Sequence, residues 1–229
     1  MKYNKIKQGI FIERPNRFIA HILIDGAIEI CHVKNTGRCK ELLSKGVTVW
    51  VEESPNPNRK TKYDLVMVKK NQLLINMDSQ APNQAVGEWL RGGGLYPNPN
   101  LVIAEKKVGD SRLDFYLEQG DRKAYVEVKG VTLERDGVAF FPDAPTLRGV
   151  KHIHHLIQLV KQGYEAYLIF VVQFQPVLHM EPNDETHLAF GEALRLAKKE
   201  GVTILCYDCI ITQKTMDLAN QVPVVYSKR

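Results

Sequence analysis

Residues 111–130 read SRLDFYLEQGDRKAYVEVKG, and the way they pair decides what the second half of the chain can be. Two runs rich in apolar and aromatic residues flank a turn signal, which predicts a hairpin. If Gln119 and Gly120 form a two-residue turn, Glu118 faces Asp121, Arg112 lies opposite Glu127 and Asp114 opposite Tyr125. A four-residue turn sets Asp114 directly across from Glu127. In both registers Arg112, Asp114, Glu127 and Lys129 share one face, because side chains two apart in a strand do. A three-residue turn would separate them. Val126 and Val128 take the reverse face and read as core.

Facing residues in such a pair lie about 5 Å apart and diagonal ones about 7–8 Å, a gap that one divalent ion can bridge with carboxylates from both strands. The hard oxygens of Asp114 and Glu127 suit Mg²⁺ or Mn²⁺. A cation there would polarise a phosphate and acidify a water molecule. Lys129, one strand step past Glu127, would orient or deprotonate that water, or neutralise charge growing on the phosphorane oxygens. The alternative is a solvated ladder in which two acids, Arg112 and Lys129 cancel at little energetic value. Spacing alone leaves both readings open.

Around this hairpin, residues 84–229 read as an α/β domain. SQAPNQAVGEWLRGGG (79–94) predicts a short helix that opens on capping types and a proline and stops on three glycines. LVIAEKK adds a strand before the hairpin, and VAFF a short one after it. A helix follows over roughly LRGVKHIHHLIQLVKQG, with Val150, Ile153, Leu156, Ile157 and Val160 on one face. EAYLIFVVQF is apolar almost throughout, as an interior strand should be. DETHLAFGEALRLAKKEG and VTILCYDCII append a helix and a strand. Consecutive strands imply a mixed sheet, and no G-x-G-x-x-G or Walker sequence supports a doubly wound nucleotide-binding fold.

Residues 1–83 read as all-β. GIFIER, RFIAHILI, AIEICHV, VTVWVEE and YDLVMVKKNQLLI are candidate strands, with CKELLSK (39–45) a short helix between the third and fourth. Five strands and one small helix fit an OB-fold-like barrel, a sandwich fragment being the alternative. In VTVWVEE, Val47, Val49 and Val51 share a face and Trp50 falls on the other. There it would stack on a base, plug the joint between domains, or stand exposed.

The whole chain has 229 residues, 44% of them hydrophobic, enough for one large or two small domains. No run approaches the roughly 18 apolar residues of a membrane helix, and MKYNKIKQGIFIERPN lacks the apolar core of a signal peptide, so a cytoplasmic protein is expected. Cys206 and Cys209 form a C-x2-C, but Cys31 and Cys39 are wrongly spaced for a second knuckle. On a strand Cys206 and Cys209 would also point to opposite faces, which favours ordinary thiols over structural zinc. Residues 1–83 carry 14 Lys and Arg against 8 Asp and Glu, a net of +6, and the remainder 17 against 18, a net of −1. The basic excess lies in the front third, where it would attract a polyanion such as nucleic acid.

Two loops of that third concentrate the charge. HVKNTGRC holds His32, Lys34, Asn35, Thr36 and Arg38 around Gly37, and NPNRKTK adds Arg59, Lys60 and Lys62. Such groups suit backbone phosphates, or they are solvated loops. In the second domain FFPDAPTLRGVKHIHHL supplies Asp143, Arg148, Lys151, His152 and His155, with Thr146 placed to cap the helix. His154 is expected to border the apolar stripe as a packing residue. For the histidines, contact with DNA or with a neighbouring acid is favoured over transition-metal binding. Tyr116, Tyr125 and Phe140 carry no assignable chemistry, although sheet parity allows Tyr125 to flank the site.

An acid on a helix, an aspartate opening a strand and E-V-K on the next resemble the PD-(D/E)XK nuclease superfamily. SRLD stands where the name-giving pattern has Pro-Asp. The chain as a whole resembles the sugar fermentation stimulation protein A (SfsA) family, through RPNRFIAHILIDG (14–26), HVKNTGRCKELL (32–43), NPNRKTKYDL (56–65), NQAVGEWL (83–90), SRLDFYL (111–117), YVEVKGVTL (125–133) and FPDAPTLRGVKHIHHL (141–156). That resemblance implies an N-terminal OB-type barrel, a nuclease-like C-terminal domain, DNA binding, and a link to regulation of sugar utilisation, especially of maltose. It implies Asp114 and Glu127 as ligands of Mg²⁺ or Mn²⁺, Lys129 as the catalytic lysine, and Glu88 as a helix acid completing the metal shell, with Glu105 the weaker contender. Two functions follow as expectations: a metal-dependent DNA phosphodiesterase, or a non-catalytic DNA-binding regulator that keeps the scaffold. A homodimer is compatible with a resolvase-like fold, although no self-complementary surface is legible.

Overall fold

The computed structural model describes residues 1–35, 37, 39–109 and 111–226, so Thr36 and Arg38 lie outside the described residues. The first half is built from β1 (Ile6–Asn16), β2 (Ile19–Ile24), β3 (Ala27–Val33), β4 (Thr48–Glu53), β5 (Tyr63–Lys70) and β6 (Leu73–Asn76). They pair in the order β3-β2-β1-β4-β5-β6, and β3 also pairs with β5 in parallel through Cys31–Val33, which closes five strands into a barrel. Closure removes the open edges that a sandwich fragment would expose. Ala20, Ile22, Val33, Val49, Leu65 and Val68 fill the interior.

The helix expected over CKELLSK is not formed. Residues 40–42 make a single turn, in which Leu42 N and Leu43 N donate to Cys39 O. Cys39 has a positive φ of 45°, so the backbone leaves the helical region where the helix would begin.

The second half follows as α1 (Ala81–Arg91), β7 (Leu101–Val108), β8 (Ser111–Gln119), β9 (Arg122–Val131), β10 (Leu133–Arg135), β11 (Val138–Phe141), α2 (Leu147–Lys161), β12 (Glu165–Val172), β13 (His179–Pro182), α3 (Asp184–Lys199), β14 (Thr203–Ile211) and β15 (Met216–Gln221). Its main sheet runs β15-β14-β12-β9-β8-β7. β12 is interior and lies parallel to β9 and β14, while the other pairs are antiparallel, so the sheet is mixed. The short strand expected at VAFF is β11, and it joins a side sheet β10-β11-β13; β10, β13 and β15 are additions that hydrophobic patterning did not reveal. Thr146 caps α2 by accepting from Gly149 N at 3.0 Å.

One face of the main sheet packs on α2 and α3 through Ile153, Leu156, Phe170, Phe190 and Leu194. The other packs on α1 through Ala85, Val86 and Leu90 against Phe115, Val126, Val128 and Ile169. Trp50, Val66 and Met67 come from the outside of the barrel and join this second cluster. Trp50 is 6% exposed, so it plugs the joint and offers no open ring face to a base. Cys206 and Cys209 fall in the two different clusters, on opposite faces of β14. Among the described residues no helix is long and apolar enough to cross a membrane.

Candidate functional site

The β8–β9 hairpin adopts the second of the two expected registers: Tyr116 faces Tyr125, and Glu118 faces Lys123. It reaches that register by a two-residue turn at Gly120–Asp121, with Gln119 facing Arg122, in place of the four-residue turn expected for it, and Gly120 takes a φ of 56°. Ladder pairing stops at Phe115 and Val126. Beyond that point the Asp114 carboxylate enters the ladder's place, and its Oδ2 accepts from Val128 N at 2.7 Å. The two strands thus part where the two acids stand.

The single charged row expected along this face is not realised. Arg112 pairs with Glu105 at 2.8 Å, both largely exposed. Asp114 Oδ1 accepts from Asn83 Nδ2 of α1 at 2.7 Å. Glu127, 3% exposed, is instead bonded from the other layer: its Oε1 accepts from Lys129 Nζ at 2.5 Å and from His152 Nδ1 of α2. Glu127 Oε2 is buried and has no hydrogen-bond partner.

These surroundings drive the two acids in opposite directions. Burial, then the charge of Glu127, pushes the Asp114 carboxyl above the usual carboxylate range, against the Val128 N–H and Asn83. Burial also pushes Glu127 up, but the hydrogen bond from His152 and the ammonium of Lys129 outweigh it and leave this carboxyl below its ordinary value. A half-buried and a buried carboxylate on adjacent strands, hard-oxygen donors with one oxygen orphaned, fit a divalent cation. Among the described residues no group of three or more His, Cys, Asp or Glu is arranged to hold a metal ion. A cation would therefore rest on Asp114 and Glu127, with water or substrate oxygens completing its shell, as Mg²⁺ commonly does.

Glu88 does not join the pair. Its carboxylate takes the Met1 ammonium at 2.9 Å, which also meets Asp217 at 3.2 Å and Met216 O at 2.9 Å. It nevertheless lines the same cavity as Asp114, Asn83, Glu105 and Lys34, a space of about 810 Å³ between α1 and the barrel. A second cavity of about 460 Å³, lined by Phe18, His32, Arg59 and Asp64, shares Lys34, Ser79 and Gln80 with the first.

The basic loops are more neutralised than their composition implies. Arg59 donates to both oxygens of Asp64 at 2.7 and 2.8 Å, and His32 Nδ1 lies 3.0 Å from the same carboxylate. Burial raises the Asp64 pKa, but Arg59 and His32 reverse the sign and hold it low. Lys34 pairs with Asp78 at 2.7 Å, and Lys62 is 4.0 Å from Glu53. Asn35 braces its turn, donating to Met77 O and accepting from Gly37 N. Lys60 and Lys151 are exposed. Arg148 Nε donates to His152 Nε2 at 3.3 Å.

On α2 the expected face holds at Ile153, Leu156 and Ile157, and His152 meets a neighbouring acid, Glu127, but the packing role falls to a different histidine. His152 is buried and His154 exposed, the reverse of the packing role expected for His154. The signal was present: Gly149, His152, Leu156 and Leu159 recur at spacings of three and four and are all buried. Asn83, which touches Asp114 directly, carried no comparable signal.

Comparison with known proteins agrees with this architecture. A family model described as "SfsA N-terminal OB domain" matches residues 12–77, and one described as "Sugar fermentation stimulation protein RE domain" matches residues 80–215. The chain is 52% identical over 225 residues to a sugar fermentation stimulation protein homolog of Clostridium beijerinckii, covering 98% of this chain and 100% of that one. To the homolog of Desulfitobacterium hafniense it is 54% identical over 224 residues, covering 98% of each. The solved structure of Pyrococcus furiosus SfsA in complex with Ca²⁺ superimposes with a TM-score of 0.89 at 26% identity, over 98% of both chains. A barrel matched by one model and a mixed-sheet domain matched by the other, in this order and over nearly the full length, place the chain in the sugar fermentation stimulation protein family.

Proposed function

We propose that the protein binds DNA and hydrolyses a phosphodiester at a nuclease-like site in its second domain, using Mg²⁺ or Mn²⁺. The observation that carries this reading is the half-buried Asp114 next to the buried Glu127, whose Oε2 is unpartnered while Lys129 holds Oε1. A bound divalent cation supplies Lewis-acid polarisation of a phosphate oxygen and acidifies water. Asp114 and Glu127 would hold it. Lys129 Nζ, at 15% side-chain exposure, has a partly dry setting in which its charge stabilises negative oxygens strongly. The shared wall of Lys34, Ser79 and Gln80 supports a path for one strand from the barrel loops to Asp114. The relative whose printed title includes Ca²⁺ is consistent with an oxygen-ligand cation site in this family.

A second reading is a DNA-binding regulator that keeps the scaffold without turnover. It is favoured by the ammonium groups already present, Lys129 on Glu127 and the N-terminus on Glu88. One experiment separates the two. Metal-stripped protein is incubated with branched, single-stranded and duplex DNA, with and without Mn²⁺. Hydrolysis that requires Mn²⁺ and is lost in Glu127→Ala supports the enzyme. Retained DNA binding with no cleavage of any substrate supports the regulator, and cleavage that survives Glu127→Ala contradicts the proposed site.

A further inference from the structure

His152 is buried at 6% exposure on the face of α2 turned to the sheet. Its Nδ1 contacts Glu127 Oε1, the oxygen that also receives Lys129 Nζ. Its Nε2 receives Arg148 Nε–H at 3.3 Å. An Nε2 that accepts leaves the ring proton on Nδ1, so the chain of donors runs from Arg148 to His152 to Glu127.

A histidine that merely satisfied a buried acid could be matched by a donor on either oxygen. Here two donors converge on Oε1 and none reaches the buried Oε2 of a residue only 3% exposed. An unsatisfied buried acceptor costs about 1–3 kcal/mol, and a partner from outside the chain removes that cost. We infer that His152, anchored by Arg148, is a positioning residue that fixes Glu127 with Oε2 turned to the cation. Arg148 thereby acts through His152 instead of, as expected from sequence, on DNA alone. The inference rests on the metal-site reading above.

The test is a titration of metal-stripped protein with Mn²⁺, reading free Mn²⁺ by electron paramagnetic resonance, beside thermal melts by circular dichroism. Wild type should bind Mn²⁺, and His152→Phe should bind about 10–100-fold more weakly, the usual effect of removing an outer-shell partner. His152→Asn, which keeps a donor near the Nδ1 position, should recover most of the affinity, a rescue that loss of packing would not give. Arg148→Met should weaken binding several-fold. If wild type binds and both His152→Phe and Arg148→Met bind as tightly, the inference is overturned while the metal site stands. If wild type binds no Mn²⁺, the metal-site reading falls and takes the inference with it. Should His152→Phe fail to fold, unchanged affinity in Arg148→Met, whose side chain sits on the exposed flank of α2, overturns the inference by itself.

Discussion

Asp114 and Glu127 stand side by side in chain topology yet respond to pH with opposite signs. The neutral form of Asp114 is favoured by burial, so ionising it costs folding free energy as pH rises through a value above the ordinary 3.8. Glu127 stabilises the fold above its ordinary 4.5, and that contribution is lost as pH falls through its lowered value. Asp114→Asn should therefore raise the melting temperature of metal-free protein at pH 7 by about 2–4 °C, with the gap closing near pH 4 as wild type protonates. The same variant should lose the stabilisation that Mn²⁺ gives wild type. A melting temperature unchanged or lowered at pH 7 would contradict the cost assigned to this carboxylate. Both acids and Lys129 were legible in the sequence because E-x-K on a strand forces two charges to one side. Asn83 and the separate layers that bond the two acids were not, since α1 and α2 reach the hairpin only through tertiary packing.

At the level of elements, the hairpin itself and the Thr146 cap of α2 follow from local sequence, while the hairpin register and the seams between elements do not. Alternation placed Trp50 opposite Val49 and Val51, but only assembly shows that it enters the buried cluster shared with α1 and the main sheet. Trp50→Ala should cost about 3–5 kcal/mol, measured by urea unfolding, and quenching of Trp50 by DNA should be negligible. Gly130 marks another seam. A Cβ there would stand 2.4 Å from Gln173 Oε1 and 2.8 Å from Pro82 Cγ. Gln173 cannot yield freely, because its Nε2 donates to Asn76 O and Asp78 O at the base of the barrel. Gly130→Ala should destabilise by about 1–3 kcal/mol, and an unchanged unfolding midpoint would show that this joint is loosely packed. The missed β10, β13 and β15 are three, four and six residues long, and strands so short or so polar carry little alternation to detect.

Across the whole molecule, the basic excess of the front third is partly spent inside it, on Asp64 and Asp78. The count of charges was legible in the sequence, whereas their pairing depends on β3 and β5 meeting in parallel, which sets His32 beside Asp64. Arg59→Gln should chiefly destabilise the barrel, by about 1–3 kcal/mol, through the carboxylate it leaves behind. Lys60→Gln should leave stability unchanged, weaken DNA binding across sequences and reduce the salt slope by about 1. Equal slopes for Lys60→Gln and wild type would remove that loop from the DNA footprint. The proposed hydrolysis returns to a cation shared by Asp114 and Glu127. Its most direct test is anomalous diffraction from crystals soaked in Mn²⁺. The account predicts one strong peak about 2.0–2.6 Å from an oxygen of Asp114 and from Glu127 Oε2, and a well-diffracting soak with no peak there, or with Mn²⁺ bound only at other carboxylates, would contradict it.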